Sequence, residues 1–222
     1  MKTHLVVGLI GIVILALGLT AYREPKQDLV VNNSLKGVRV LSFVETNEAF
    51  ELVLRNDANK SINGYSILFN NNAFRTVDLI VGEKRISPGD RFTVSLPPRR
   101  EILPITIRYL VFEDGSGEGD VVGTGELQDR RAGRAEQIRR ISPLLERALS
   151  NADIEKLKTE IGDLSEEPIG GRSIYFQQGR LDAKEDALLT IQRLDHTNVR
   201  GGLNRLKEQN NKTLERINKS NK

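Results

Sequence analysis

The chain reads as an α+β multidomain protein with an N-terminal transmembrane or signal helix, an all-β sandwich and a C-terminal α-helical region. Three observations predict this order. Residues 5–22 run without a charge, apolar residues alternate with polar ones between 37 and 127, and from Asp129 onward the apolar spacing changes to three and four.

The leading segment is export or anchoring material. Lys2 precedes the apolar run Leu5 to Tyr22, and Arg23, Glu24 and Pro25 end it. Eighteen residues at about 1.5 Å each span roughly 27 Å as a helix, close to a hydrocarbon core of about 30 Å. Residues 1–22 are therefore a signal anchor or a signal peptide, with the body placed outside the membrane because a short basic start precedes the run. Residues 23–36, with Pro25 and Asn32-Asn33-Ser34, form a polar linker.

Residues 37–127 are expected to form the sandwich. Phe50, Leu52 and Leu54 alternate with Glu51, Val53 and Arg55, and Phe92, Val94 and Leu96 with Arg91, Thr93 and Ser95, so each strand has one wet face. Further runs lie at Val38 to Val44, Ile62 to Phe69, Arg75 to Val81 and Ile105 to Phe112, with Asp120 to Leu127 as a last member. Asn56-Asp57-Ala58-Asn59, Asn70-Asn71-Asn72 and Asp114-Gly115-Ser116-Gly117 supply turns between them. Pro88-Gly89 suits the centre of a type II turn, because Pro fixes the first position and Gly tolerates positive φ at the second.

The stretch Phe50 to Ile62, followed by Ile86-Ser-Pro-Gly-Asp-Arg-Phe92 and Ile105 to Gly115, resembles the immunoglobulin-like or fibronectin-III-like domains of exported bacterial proteins. The resemblance covers residues 37–127 and lacks the two inter-sheet cysteines and core Trp of antibody domains. It implies an immunoglobulin-like β-sandwich that binds or spaces, and it assigns no site.

Residues 128–222 carry helical stripes. Ile138, Ile141 and Leu145 lie on one face, as do Ile154, Leu157, Ile161 and Leu164. Ser142-Pro143 reads as an N-cap and first helical position, so a new helix is expected there. Gly170-Gly171 opens a stretch with Ile174, Leu181 and Leu188, and Gly201-Gly202 marks a break before Leu203, Leu206, Leu214 and Ile217. The residues ending Asn218-Lys219-Ser220-Asn221-Lys222 are expected to fray.

The catalytic inventory is thin. Cysteine is absent and His4 and His196 are the only histidines, which removes thiol nucleophiles and thiolate metal sites and leaves few bases. No nucleophile elbow, P-loop or dinucleotide fingerprint occurs, and Glu166-Glu167 and Glu185-Asp186 are merely adjacent pairs. His196 is read as a capping or surface residue. Asp114 to Asp120 spaces oxygen-bearing side chains like the start of a calcium loop, but Gly125 stands at the twelfth place, so the stretch is read as a Gly-rich hairpin. No cofactor or metal is implied.

Charge supplies the binding candidates. Arg130, Arg131, Arg134, Arg139 and Arg140 face only Asp129 and Glu136 between 129 and 140, and residues 200–222 set seven Lys or Arg against Glu208 and Glu215. Such patches suit anionic headgroups, wall polymer or an acidic partner, or else form a solvated helix face. Tyr175 and Phe176, the last aromatics of the chain, either pack the helices on the sandwich or anchor a partner. Nucleic acid is not expected, since the whole-chain net charge is only +3 and neither patch carries stacking aromatics. The sequence thus points to a non-catalytic cell-envelope interaction or spacer protein. Its partners would be the membrane, through the N-terminal helix, and an envelope protein or anionic envelope polymer. A sensor or regulator subunit is the alternative, and an envelope hydrolase the remote one.

Overall fold

A computed structural model describes residues 31–45, 50–70, 73–82, 84–96, 104–151, 153–165, 170–194 and 197–220. The expected N-terminal helix, residues 1–22, lies outside them, as do His4, His196 and Glu166-Glu167.

The described residues hold eight strands: β1 (Val31–Asn32), β2 (Val38–Glu45), β3 (Phe50–Asn56), β4 (Ile62–Asn70), β5 (Ala73–Asp78), β6 (Arg91–Leu96), β7 (Ile105–Phe112) and β8 (Gly117–Gly119). Four helices follow among the described residues: α1 (Val121–Asn151), α2 (Ile154–Gly162), α3 (Ile174–Gln192) and α4 (Val199–Lys219). The larger sheet runs β1-β7-β4-β5 with β8 also on β7, and the smaller runs β2-β3-β6. All pairings are antiparallel except β1 with β7. Phe50, Leu52, Leu54, Val94 and Leu96 of the small sheet share one core with Ile62, Tyr65, Ile67, Ile105, Ile107, Leu110 and Phe112 of the large one. Between β5 and β6, the Ser87 to Asp90 turn closes with Asp90 N–H donating to Ser87 O at 3.0 Å, and Gly89 takes φ 83° as the Pro88-Gly89 pair requires.

The expected fold class is corrected. The described residues form an α+β assembly of two sheets and four helices, and the large sheet is covered on both faces instead of standing as an all-β sandwich beside a helical region. The physical reason lies in Tyr109-Leu110-Val111-Phe112. All four are buried, because Leu110 and Phe112 face the small sheet while Tyr109 and Val111 pack on Leu127 of α1. Among the described residues, no helix is long and apolar enough to cross a membrane.

Several local expectations change with it. Asp120 to Leu127 is the start of α1, not a strand: Asp120 Oδ1 accepts the N–H groups of Val122 and Gly123 at 3.0 and 3.1 Å, an N-cap that launches the helix. Pro143 lies inside α1 and starts no new helix, with Ser142 Oγ donating to Ile138 O at 2.8 Å beside it. Gly201 and Gly202 sit in the first turn of α4, where Asn198 Oδ1 accepts the Gly201 N–H at 3.1 Å. The end of α4 does not fray through Ser220, which is 4% exposed and bonded to Ile217 O.

Helices α1 and α3 run parallel. Arg130 pairs with Asp182 and Arg134 with Asp186, a constant offset that leaves no other direction. The two backbones approach closely, since a Cβ on Gly133 would overlap the Phe176 carbonyl and one on Gly179 would overlap the Arg130 carbonyl. Ile141, Leu145, Leu157, Ile161, Ala187, Ile191 and Leu203 join all four helices in a second core.

Candidate functional site

The α1 arginines are engaged within the fold. Arg131 is 1% exposed, and its guanidinium donates to Asp78 at 2.8 Å and to both the backbone and side-chain oxygens of Asn63 at 3.0 Å. Gly64 makes this insertion sterically feasible, as a Cβ there would stand 2.7 Å from Leu127 and 3.0 Å from the guanidinium. Arg130 Nε lies 2.6 Å from Asp182, and that bond holds its pKa above the ordinary value. Arg134 Nη1 lies 2.8 Å from Asp186. Arg140 donates to Gln137 at 3.2 Å and to Ser165 O at 3.4 Å, while Arg139, exposed, reaches Asn218 at 3.3 Å. Phe176 is buried beneath Arg172, which sits 4.9 Å from its ring centre. Tyr175 is half-buried, and a hydrogen bond to the Glu126 carboxylate raises its phenol pKa. Thus the structure brings Arg130, Arg134 and Phe176 to one α1–α3 seam. It leaves Arg139 at the surface and sends Arg131 into the sheet.

The other basic stretch reaches an open cleft. Ile80, 2% exposed, is wedged among Ala135, Ile217 and Leu214, and Arg216 Nη1 donates to its carbonyl at 3.1 Å. This anchors the segment after β5 against the last turns of α4. Ile86 pairs with Ile62 through both backbone bonds, at 2.9 and 3.0 Å, and fixes the other end. Lys84 and Arg85 are thereby set beside Arg216 and Lys219 around a cleft of about 360 Å³, with Glu113 as the one carboxylate among its described lining residues. Arg85 and Lys219 share Glu113, at 3.6 and 3.3 Å. Lys84 has no ion pair among the described residues. A second hollow, of about 510 Å³, adjoins it through Glu113 and Lys219 and adds Lys60 and Asp114.

The position of α4 depends on the β7–β8 turn. Gly115 takes φ 82°, and the Ser220 carbonyl stands where a Cβ would be, so only glycine lets the helix end dock here. Beside it Asp114 receives Lys60 at 2.7 Å and the Ser116 hydroxyl at 2.6 Å, which hold its carboxyl down at about 2. The oxygens of the 114–120 stretch are engaged with protein donors. Glu118 accepts the backbone N–H groups of Lys36 and Gly37, and Asp120 pairs with Arg108 at 2.5 Å. No group of three potential metal ligands occurs among the described residues.

Sequence reasoning found Arg216 and Lys219 only within a charge excess, and it missed Lys84 and Arg85. Their one local signal is a Lys-Arg pair just before Ile86-Ser-Pro-Gly, a turn setting that says nothing of a helix 130 residues away. No protein-family model, curated protein or solved structure matches the chain.

Proposed function

We propose that the protein is a non-catalytic interaction module of the cell envelope that holds an anionic envelope polymer in the cleft of Lys84, Arg85, Arg216 and Lys219. The observation that carries this reading is the charge of that cleft: among its described lining residues four cations surround a single carboxylate, and one of the four, Lys84, lacks a carboxylate partner among the described residues. Partly open walls of protein strengthen attraction to a phosphate or carboxylate above its value in bulk water. Glu113 would then act as an internal counter-ion that an incoming anion displaces from Arg85 and Lys219. Support for an extracytoplasmic place comes from the charge-free run at residues 5–22 and the absence of cysteine.

Co-sedimentation of the full chain with purified anionic wall polymer tests the reading. Retention should fall steeply as salt rises, because each neutralised anion returns a counter-ion to solution. Lys84→Gln and Lys219→Gln should each weaken it, and Arg147→Gln, at an arginine that pairs with Glu160 outside the cleft, should not. Retention indifferent to salt and to both lysine substitutions would overturn the proposal.

A further inference from the structure

A second cleft, of about 220 Å³, opens between α1, α3 and α4. Its floor is apolar, built by Ile138, Ala187 and Leu206, each nearly fully buried. Its walls are polar and unevenly satisfied. Asn210 Nδ2 is buried without a hydrogen-bond partner among the described residues, and a buried donor left without an acceptor is uncommon in a native fold. Arg193, on the α3 side of the same cleft, has no carboxylate partner among the described residues. Both groups donate, so the ligand they suit is oxygen-bearing and, beside the Arg193 guanidinium, anionic; the Asn210 amide must turn to present its Nδ2 to it.

The opposite requirement is met close by. Asp186 gives one carboxylate oxygen, Oδ2, to Arg134 at 2.8 Å, while Oδ1 is in no hydrogen bond or ion pair with the described residues. Thr190 donates its hydroxyl proton to the Asp186 carbonyl at 2.7 Å, so what its oxygen still offers the cleft is lone pairs. Donors for an anion and acceptors for a cation therefore line one small cavity over a greasy floor. We infer that the cleft binds a free α-amino acid, with its carboxylate on Asn210 and Arg193, its ammonium on Asp186 and Thr190, and a short apolar side chain on Ile138 and Leu206. The site is separate from the cationic cleft and does not depend on the reading given to it. It shares with it helix α4, which supplies Asn210 here and Lys219 there, and the segment after β5, which supplies Val81 here and Lys84 there.

Calorimetric titration of the full chain with L-alanine tests the inference, with acetate and alanine methyl ester as probes that each carry one of the two charges. L-Alanine should bind saturably and both single-charge probes about tenfold or more weaker, as expected when one charged hydrogen-bond set is removed. Arg193→Gln, a substitution at an exposed position, should lower L-alanine affinity about tenfold by the same reasoning. Asn210→Leu should abolish binding while raising Tm, because it replaces an unpartnered donor with apolar surface. Lys84→Gln should leave the titration unchanged, which separates this site from the cationic cleft. No heat from L-alanine, or equal binding of acetate, would overturn the inference, as would an Arg193→Gln chain that titrates like the parent.

Discussion

The arginines of α1 and the cations around the end of α4 begin from the same sequence signal, a local surplus of positive charge, and finish in opposite environments. Arg130, Arg131 and Arg134 meet Asp182, Asp78 and Asp186, acids some fifty residues distant that the fold returns to them. Lys84, Arg85 and Lys219 converge from two separate segments; among the described residues Arg85 and Lys219 share Glu113, and Lys84 has no carboxylate partner. A charge run therefore says little until its partners are known. Where long-range carboxylates arrive the charge is structural, and where cations meet cations it stays available to a ligand.

Removing the buried member of the first group should have the largest effect. Arg131→Leu strands Asp78 and the Asn63 oxygens beneath α1 and should cost about 3–5 kcal/mol in urea unfolding. Adding Asp78→Leu should restore part of that, and a double variant no better than the single one would show that the ion pair is not the source. Gly179→Ala drives a methyl group into the Arg130 carbonyl and should cost about 1–3 kcal/mol, with Arg130 and Asp182 parting as the helices separate. Lys84→Gln should change stability by less than about 0.5 kcal/mol while weakening retention on anionic polymer, the reverse of the Arg131 result.

The smallest effect is one of pH. The folded state holds the Asp114 carboxyl at about 2, below its ordinary value, so its contribution is present at neutral pH. That contribution is lost as pH falls from the ordinary carboxylate range through about 2. The pair with Lys60 is half-exposed, and solvent screening keeps the loss below about 1 kcal/mol. Lys60→Gln should flatten the acid limb of the stability curve.

Legibility in the sequence followed the range of the interaction. Strands such as Phe50–Asn56 and Arg91–Leu96 could be read because one face is wet and the alternation is therefore clean. The four-residue apolar run Tyr109 to Phe112 also stood in plain view. It is the mark of a strand covered twice, and it was the clue that helices lie on the large sheet. Asp120 to Leu127 misled because Val121 and Val122 favour strands, whereas the capping oxygen of Asp120 decided for helix. Of the candidate site, Arg216 and Lys219 were visible as charge, but Ile80 tucked under Ile217, which brings Lys84 and Arg85 to them, is a tertiary event without a local signature.

Only Asp120 separates β8 from α1, and it grips both sides of the junction, capping the helix while it binds Arg108 in β7. With Arg131 pinned to the sheet two to three turns further along, α1 is fastened at two points roughly 16 Å apart. A load applied to the far end of the helix would be transmitted to the sheet as it is through a bolted beam, and would not be absorbed as it is at a hinge.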